Sequence, residues 1–158
     1  MRQDAIDAAW SGAAIAGPEG AIAIEGVPGE GDRLMLGLDS PSKLPNNVIS
    51  DVKNMYEELR QTLGHVRIEW VHDNIRTWCV QLHIGKTHTQ GSTIVPGDAA
   101  TWVEILADEG LSTIRERLVS LPKENGVLLI GNVGVTSHIA DLLRKKGCPS
   151  RIVKGVSL

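Results

Sequence analysis

The sequence predicts an α/β protein, with an N-terminal α+β lobe built on an antiparallel sheet and a small α/β lobe after it. Three observations predict this fold class. Short β-prone runs alternate with Gly- and Pro-containing turns at the start, and residues 47–63 repeat apolar side chains at helical spacing. The last third then reads as strand, glycine-rich turn, helix and strand. A chain of 158 residues is long enough for one domain or two small lobes.

The N-terminal third is expected to form short strands. The β-prone runs are residues 13–16, 21–25 and 34–38, and the two turns between them contain Gly-Pro-Glu-Gly and Pro-Gly-Glu-Gly. From Asn47 the spacing becomes that of an amphipathic helix, and Gly64 marks its end.

Residues 66–72 and 75–84 both alternate in polarity and flank Asp73 and Asn74. This pattern predicts an antiparallel β-hairpin. Cross-strand partners share a face of the sheet, so the residue numbers of each pair must sum to an even value. We therefore expect a three-residue loop that includes Asp73 and Asn74.

The alternation also assigns the two faces of the hairpin. Trp70 and Trp78 are expected on the apolar face, and Glu69, Gln81 and His83 on the polar face. A carboxylate, an amide and an imidazole within reach of one ligand could form a binding site. Polar residues on the open face of a hairpin are also the ordinary expectation.

Residues 86–97 are polar, contain two glycines and a proline, and follow Gly85, which makes them the best linker candidate. We place the N-terminal lobe at 1–90 and the C-terminal lobe at 91–158, and expect the lobes to pack loosely about the linker. Five elements are expected beyond it: a helix from Asp98 to Gly110, a helix with a Thr113–Glu116 capping box, a strand at 126–130, a helix at about 136–146, and a strand at 150–153.

Composition excludes several classes of function. The net charge is −3 with no extended basic patch, and aromatic residues make up 3% of the chain, which argues against nucleic-acid binding. Cys79 and Cys148 lack the spacing of a zinc site or a disulfide framework, so a reducing, cytoplasmic location is expected. No apolar run is long enough to span a membrane.

The turn from Gly131 to His138 lies between a predicted buried strand and a predicted helix. Such a junction offers unpaired backbone N–H groups, and here two hydroxyls as well, to an anion. A histidine in the first turn could carry a phosphate on its ring nitrogen next to these donors. The alternative is that Thr136 or Ser137 simply caps the helix and His138 is a solvated residue.

The string Gly134-Val-Thr-Ser-His-Ile-Ala140, followed by Arg144-Lys-Lys-Gly-Cys-Pro149, resembles the swivelling phosphohistidine domain of phosphoenolpyruvate synthase and pyruvate phosphate dikinase. The family motif reads Gly-Gly-x-Thr-Ser-His-Ala-Ala and is followed at the same distance by Ala-Arg-x-Leu-Gly-x-Pro. The resemblance implies that His138 is the catalytic phosphate carrier and that Gly134, Thr136 and Ser137 bind its phosphate. Val133 replaces the first glycine of the family motif.

The hairpin resembles the end of the ATP-grasp domain of the same enzymes, where an Ile-Glu-Trp strand precedes a strand reading Leu-Gln-x-Arg. The resemblance implies that Glu69 is a magnesium ligand and that Gln81 and His83 lie at the nucleotide. Mg²⁺ and ATP are the implied cofactors. His83 stands where the family has arginine, so a fixed bidentate phosphate donor is missing.

The resemblance implies part of an ATP-dependent phosphotransferase that passes phosphate from a nucleotide through a histidine. The chain contains no counterpart of the N-terminal nucleotide lobe or of the phosphoenolpyruvate-binding barrel. We therefore expect a protein partner to supply the missing lobe, and the isolated chain to be inactive. Two alternatives are a non-catalytic regulatory module that binds a nucleotide or phosphorylated metabolite, and a structural interaction module.

Overall fold

The computed structural model describes residues 6–17, 21–85 and 92–154. This part of the chain forms two four-stranded sheets and four α-helices, which confirms the α/β fold class. The strands are β1 (Trp10–Ala16), β2 (Ile22–Pro28), β3 (Val66–His72), β4 (Thr77–Ile84), β5 (Thr93–Val95), β6 (Trp102–Leu106), β7 (Gly126–Ile130) and β8 (Ser150–Val153). The helices are α1 (Asp32–Met35), α2 (Asn46–Leu63), α3 (Leu111–Ser120) and α4 (His138–Lys146), and a 3-10 helix spans Ala107–Glu109.

The first sheet is antiparallel throughout, in the order β2-β1-β3-β4. Helix α2 covers one face, because its apolar stripe of Val48, Val52 and Tyr56 packs on Val66 and Ile68 of β3. The Tyr56 hydroxyl donates a 2.8 Å hydrogen bond to the Val66 carbonyl inside this core. Among the described helices, α2 included, none is both long enough and apolar enough to cross a membrane.

The β3–β4 hairpin has two registers. Glu69 pairs with Gln81, which keeps Gln81 and His83 on the polar face with Glu69 and confirms that part of the prediction. Nearer the turn Trp70 pairs with Cys79, and a β-bulge at Val80 separates the two segments.

The expected three-residue loop is wrong, because the turn between His72 and Thr77 spans four residues. The Asp73 carboxylate accepts hydrogen bonds from the backbone N–H groups of Ile75 and Arg76 and from the Trp78 indole. Asn74 adopts a positive φ of 73° within the same turn. Trp78 consequently pairs with Val71, so it does not share the face of Trp70 as we had predicted.

The second sheet has the order β5-β8-β7-β6. Strands β6, β7 and β8 are parallel, with α3 and α4 as the crossover helices, and β5 runs antiparallel along the β8 edge. Both crossover helices pack on the same face. The core between them and the sheet includes Ile105, Ile114, Leu118, Val127, Leu129, Ile139 and Leu143.

Three predicted elements are corrected by the structure. The expected helix from Asp98 is strand β6 followed by the 3-10 helix, because Trp102–Leu106 is a short, mainly apolar run that pairs in parallel with β7 at the edge of the sheet. The expected strand at 34–38 is instead the end of α1 and a turn. The linker contains β5, and its residues 86–91 lie outside the described part of the chain.

Candidate functional site

The Gly-Val-Thr-Ser turn joins β7 to the N-terminus of α4. Ser137 is the N-cap residue, and its hydroxyl accepts a 3.3 Å hydrogen bond from the backbone N–H of Ala140. His138 is the first helical residue and is half-buried, whereas Thr136 and Ser137 are fully buried. Gly147, in the left-handed conformation, ends the helix where its sequence predicts.

The donors of this turn are occupied by a carboxylate from the first sheet. Glu25 on β2 accepts hydrogen bonds from the backbone N–H groups of Val135 at 3.1 Å and Thr136 at 3.0 Å, and from the Thr136 hydroxyl at 2.6 Å. A Cβ at Gly134 would collide with this carboxylate. The glycine therefore allows Glu25 to approach, and the turn holds an anion that the protein itself supplies.

Two arginines bind the carbonyl side of the same turn. The Arg67 guanidinium donates to the Thr136 carbonyl at 2.6 Å, and the Arg144 guanidinium donates to the Val135 carbonyl at 2.6 Å. Asp141 lies between them, with one carboxylate oxygen 3.1 Å from each arginine. The Val135 and Thr136 backbone is thus held through its N–H groups by Glu25 and through its carbonyls by the arginines.

These contacts join the two sheets through buried charges. The Arg67 side chain is 2% exposed and that of Arg144 is 8% exposed. Arg67 belongs to β3, whereas Arg144 and Asp141 belong to α4. The expectation that the two lobes pack loosely is therefore wrong, because the buried Arg67 of the first sheet is bound to Asp141 and to the Thr136 carbonyl of the second lobe. Separating the lobes would leave these buried charges without partners, which is strongly destabilising.

A cleft lies between β4 and α4. Its outer compartment has a volume of about 270 Å³. The outer compartment is lined by Gln81, His83, Leu111, Arg115, His138, Asp141, Leu142 and Lys145. The inner compartment, of about 210 Å³, is lined by Arg67, His83, Ile84, Gly85, Asp141, Arg144 and Lys145. Three residues are common to both, so the compartments lie side by side.

The inner compartment contains the two buried arginines, and both are already paired with Asp141. Burial lowers the pKa of the Arg144 guanidinium, and the Asp141 carboxylate opposes that shift. The Nε atoms of Arg67 and Arg144 are buried and have no hydrogen-bond partner within the described residues. Unsatisfied buried donors favour an acceptor in their neighbourhood.

The structure brings three of the predicted site residues together. Gln81, His83 and His138 all line the outer compartment, and the Gln81 amide nitrogen lies 2.9 Å from His83 Nε2. The predicted phosphate-binding residues Gly134, Thr136 and Ser137 do not line either compartment, and Thr136 donates its hydrogen bonds to Glu25 instead. His138 therefore faces the cleft while the turn before it faces Glu25.

Glu69 is the cross-strand partner of Gln81 but lines neither compartment. Its carboxylate is 15% exposed and is 3.3 Å from the Arg67 guanidinium, with which it forms an ion pair. No cluster of three or more His, Cys, Asp or Glu side chains suited to a metal is found among the described residues. One carboxylate held by an arginine does not fit the several oxygen ligands that Mg²⁺ requires.

Sequence reasoning missed Glu25, Arg67, Arg115 and Asp141. One signal was available, since Glu25 is the only charged residue in the apolar run from Ala21 to Glu25. A charge in such a run indicates a buried partner. The partner lies 110 residues further along the chain, and no local pattern identifies it.

Comparison with known proteins finds no matching family model, no similar curated protein and no similar solved structure. Any function assigned to the chain therefore rests on its own residues and their geometry.

Proposed function

We propose that the chain is a binding module for a small phosphorylated molecule, which it holds in the outer compartment of the cleft. The observation that carries the proposal is the convergence of Arg115, Lys145, His83 and His138 on one cavity. Positive and hydrogen-bonding side chains from three different elements, β4, α3 and α4, meet there. A phosphate offers several acceptor oxygens to such donors.

The charge balance of the cavity supports an anionic ligand. Asp141 is the acidic residue of the outer compartment, and its two oxygens are already paired with Arg67 and Arg144. Arg115 and Lys145 therefore set the sign of the field that a ligand meets there.

The size of the cavity supports a small ligand. Pockets that bury drug-sized molecules have volumes of roughly 300–1,000 Å³. The outer compartment, at about 270 Å³, lies below that range. A phosphorylated metabolite fits it better than a whole nucleotide does.

Binding without turnover is favoured by the position of Glu25. A phosphate on His138 would need donors close to the ring, and the N–H groups of Val135 and Thr136 already donate to Glu25. The same contact holds the turn against the first sheet, which opposes the swivelling that a carrier requires.

The test is calorimetric titration of the purified chain with inorganic phosphate and with pyrophosphate. Lys145→Ala and Arg115→Ala should each weaken binding about tenfold, since a hydrogen bond to a charged group contributes about 1.5–3 kcal/mol. Lys123→Ala is the matched control, because Lys123 is exposed and lies outside both compartments. Equal affinity in all four proteins would refute the proposal.

The second candidate is phosphoryl transfer through His138, as part of an enzyme of the phosphoenolpyruvate synthase or pyruvate phosphate dikinase type. It is favoured by one observation: His138 is half-buried and lines the cavity together with Lys145. The nucleotide and its Mg²⁺ would be bound by an ATP-grasp lobe that works together with this chain. A His138 nitrogen would attack a phosphorus of the nucleotide, and the rest of the nucleotide would leave.

The test of this second candidate is to mix the chain with labelled ATP, Mg²⁺ and an N-terminal ATP-grasp lobe. Acid-labile label should appear on the wild type and on the His65→Ala control, and should be absent from His138→Ala. Label that persists in His138→Ala would exclude His138 as the carrier. If the chain binds phosphate but is not labelled, the result favours the binding module over phosphoryl transfer.

A further inference from the structure

The second sheet has one face without a helix. Because Ile105, Val127 and Leu129 face the core beneath α3 and α4, their neighbours along each strand face the opposite way. We call this surface the open face. It consists of Trp102, Glu104 and Leu106 on β6, Gly126, Leu128 and Ile130 on β7, and Arg151 and Val153 on β8.

The open face is apolar at its centre and partly exposed. Leu106 is 48% exposed and Val153 is 39% exposed, and Leu128 and Ile130 are half-buried. No described helix covers these residues. Parallel strands occur in sheets that are covered on both faces, so a parallel sheet with one bare face lacks a partner.

The charged residues of the open face are arranged to suit a second copy of it. Glu104, Leu128 and Arg151 form one row across the sheet, with the leucine in the middle. The next row consists of Leu106, Ile130 and Val153 and is wholly apolar. The register thus places Glu104 on one side of β7 and Arg151 on the other.

We propose that two copies of the chain associate through their open faces about a two-fold axis that runs along β7. Rotation about this axis places β6 of one copy over β8 of the other. Glu104 of each copy then meets Arg151 of its partner, and Leu128 and Ile130 pack against their own counterparts. Such an interface is isologous, with the same patch on both subunits.

The charges select this orientation over the alternative. A two-fold axis across the strands would place Glu104 over Glu104 and Arg151 over Arg151, and like charges in contact are unfavourable. Arg151 stays accessible to a partner: its guanidinium lies 4.8 Å from the centroid of the Trp102 ring and 3.8 Å from the Asp98 carboxylate, and its side chain is still 47% exposed.

Three short strands bury a modest area, and interfaces of modest area form weak, reversible complexes. We expect a dissociation constant on the order of 10 µM. Sedimentation velocity across a concentration series should show the mass rising from 17.0 kDa to twice that value.

The decisive experiment uses charge reversals at the two positions. Glu104→Arg and Arg151→Glu should each remain monomeric alone, because each places like charges opposite one another. An equimolar mixture of the two variants should recover the wild-type association, since both pairs are then Arg opposite Glu. Val119→Asp, at an 80% exposed position of α3, is the control and should dimerise normally.

The mass measurements test the dimer separately from phosphate binding in the cleft. A wild type that stays at 17.0 kDa at about 300 µM overturns the proposal, as this is far above the expected dissociation constant. Dimers that persist in Glu104→Arg and in Leu106→Arg place the interface elsewhere and also overturn it. If circular dichroism shows that Arg151→Glu is unfolded, the masses of the Glu104→Arg and Leu106→Arg variants still show whether the open face forms the dimer. Phosphate titration of Glu104→Arg reports independently on the cleft.

Discussion

Replacing Glu25 with alanine removes the internal anion from the Val135–Thr136 turn. The wild-type carboxylate accepts three hydrogen bonds there, at 2.6, 3.0 and 3.1 Å. Val135 and Thr136 are 7% and 0% exposed, so the donors left behind are buried. The turn that precedes α4 would lose its contact with β2 without any change in the cleft itself.

The expected loss of stability is large. Hydrogen bonds to charged groups contribute about 1.5–3 kcal/mol each, and contributions within one network are not additive. We expect Glu25→Ala to lower the free energy of unfolding by about 3–5 kcal/mol, which is a large fraction of the ~5–15 kcal/mol that stabilises a typical domain. Glu25→Gln keeps one acceptor oxygen and should lose about half as much.

Urea denaturation followed by tryptophan fluorescence measures this loss, with Glu30→Ala as the exposed acidic control that should change stability by less than about 0.5 kcal/mol. Inorganic phosphate should then stabilise Glu25→Ala by filling the vacated turn, by about 2.7 kcal/mol at a concentration 100-fold above its dissociation constant. Adding Lys145→Ala should not remove that rescue, because Lys145 lies at the cleft. A Glu25→Ala protein as stable as the Glu30→Ala control would refute the reasoning.

Three further predictions concern single side chains. Gly134→Ala should destabilise the protein by displacing the Glu25 carboxylate, and its effect should largely vanish in a Glu25→Ala background when both are compared by urea denaturation. Tyr56→Phe should cost about 1–2 kcal/mol in the same assay, since the buried Val66 carbonyl loses its 2.8 Å hydrogen bond. Hydrogen bonds from the Trp78 indole and from two backbone N–H groups hold the pKa of Asp73 at about 2, below its ordinary 3.8. The contribution of Asp73 to stability is therefore present above pH 3.8 and lost as the pH falls towards 2. Asp73→Asn should abolish that part of the acid dependence. An NMR titration in which the Asp73 carboxyl has its midpoint near 3.8 would contradict this prediction.

Helices whose apolar residues recur at a clear helical spacing could be predicted from the sequence. Helix α2 was predicted from Asn47 and begins at Asn46, and α4 was predicted from about Thr136 and begins at His138. Both present an apolar stripe at helical spacing to a single core. Strand β6 was predicted as a helix because a run of five residues, four of them apolar, is too short to show a period of its own.

The candidate site could be predicted only in part. The cleft residues Gln81, His83 and His138 were found because two motifs identified them. The contacts of Glu25 and Arg67 with the Val135–Thr136 turn could not be predicted, since they connect residues that are 69 to 111 positions apart in the sequence. A local pattern reports which side chains share a face, and it carries no information on which distant turn that face meets.

The bulge at Val80 has a consequence for how the hairpin tolerates changes in length. It divides β4 into a segment that follows the turn and a segment that follows the cleft, each with its own register. If one residue were lost from the four-residue turn, the first segment could shift and close the bulge, while Gln81 would stay opposite Glu69. The hairpin can thus absorb a one-residue deletion at its tip before the deletion reaches the cleft. Turn length and ligand-facing residues are free to vary independently in such a hairpin.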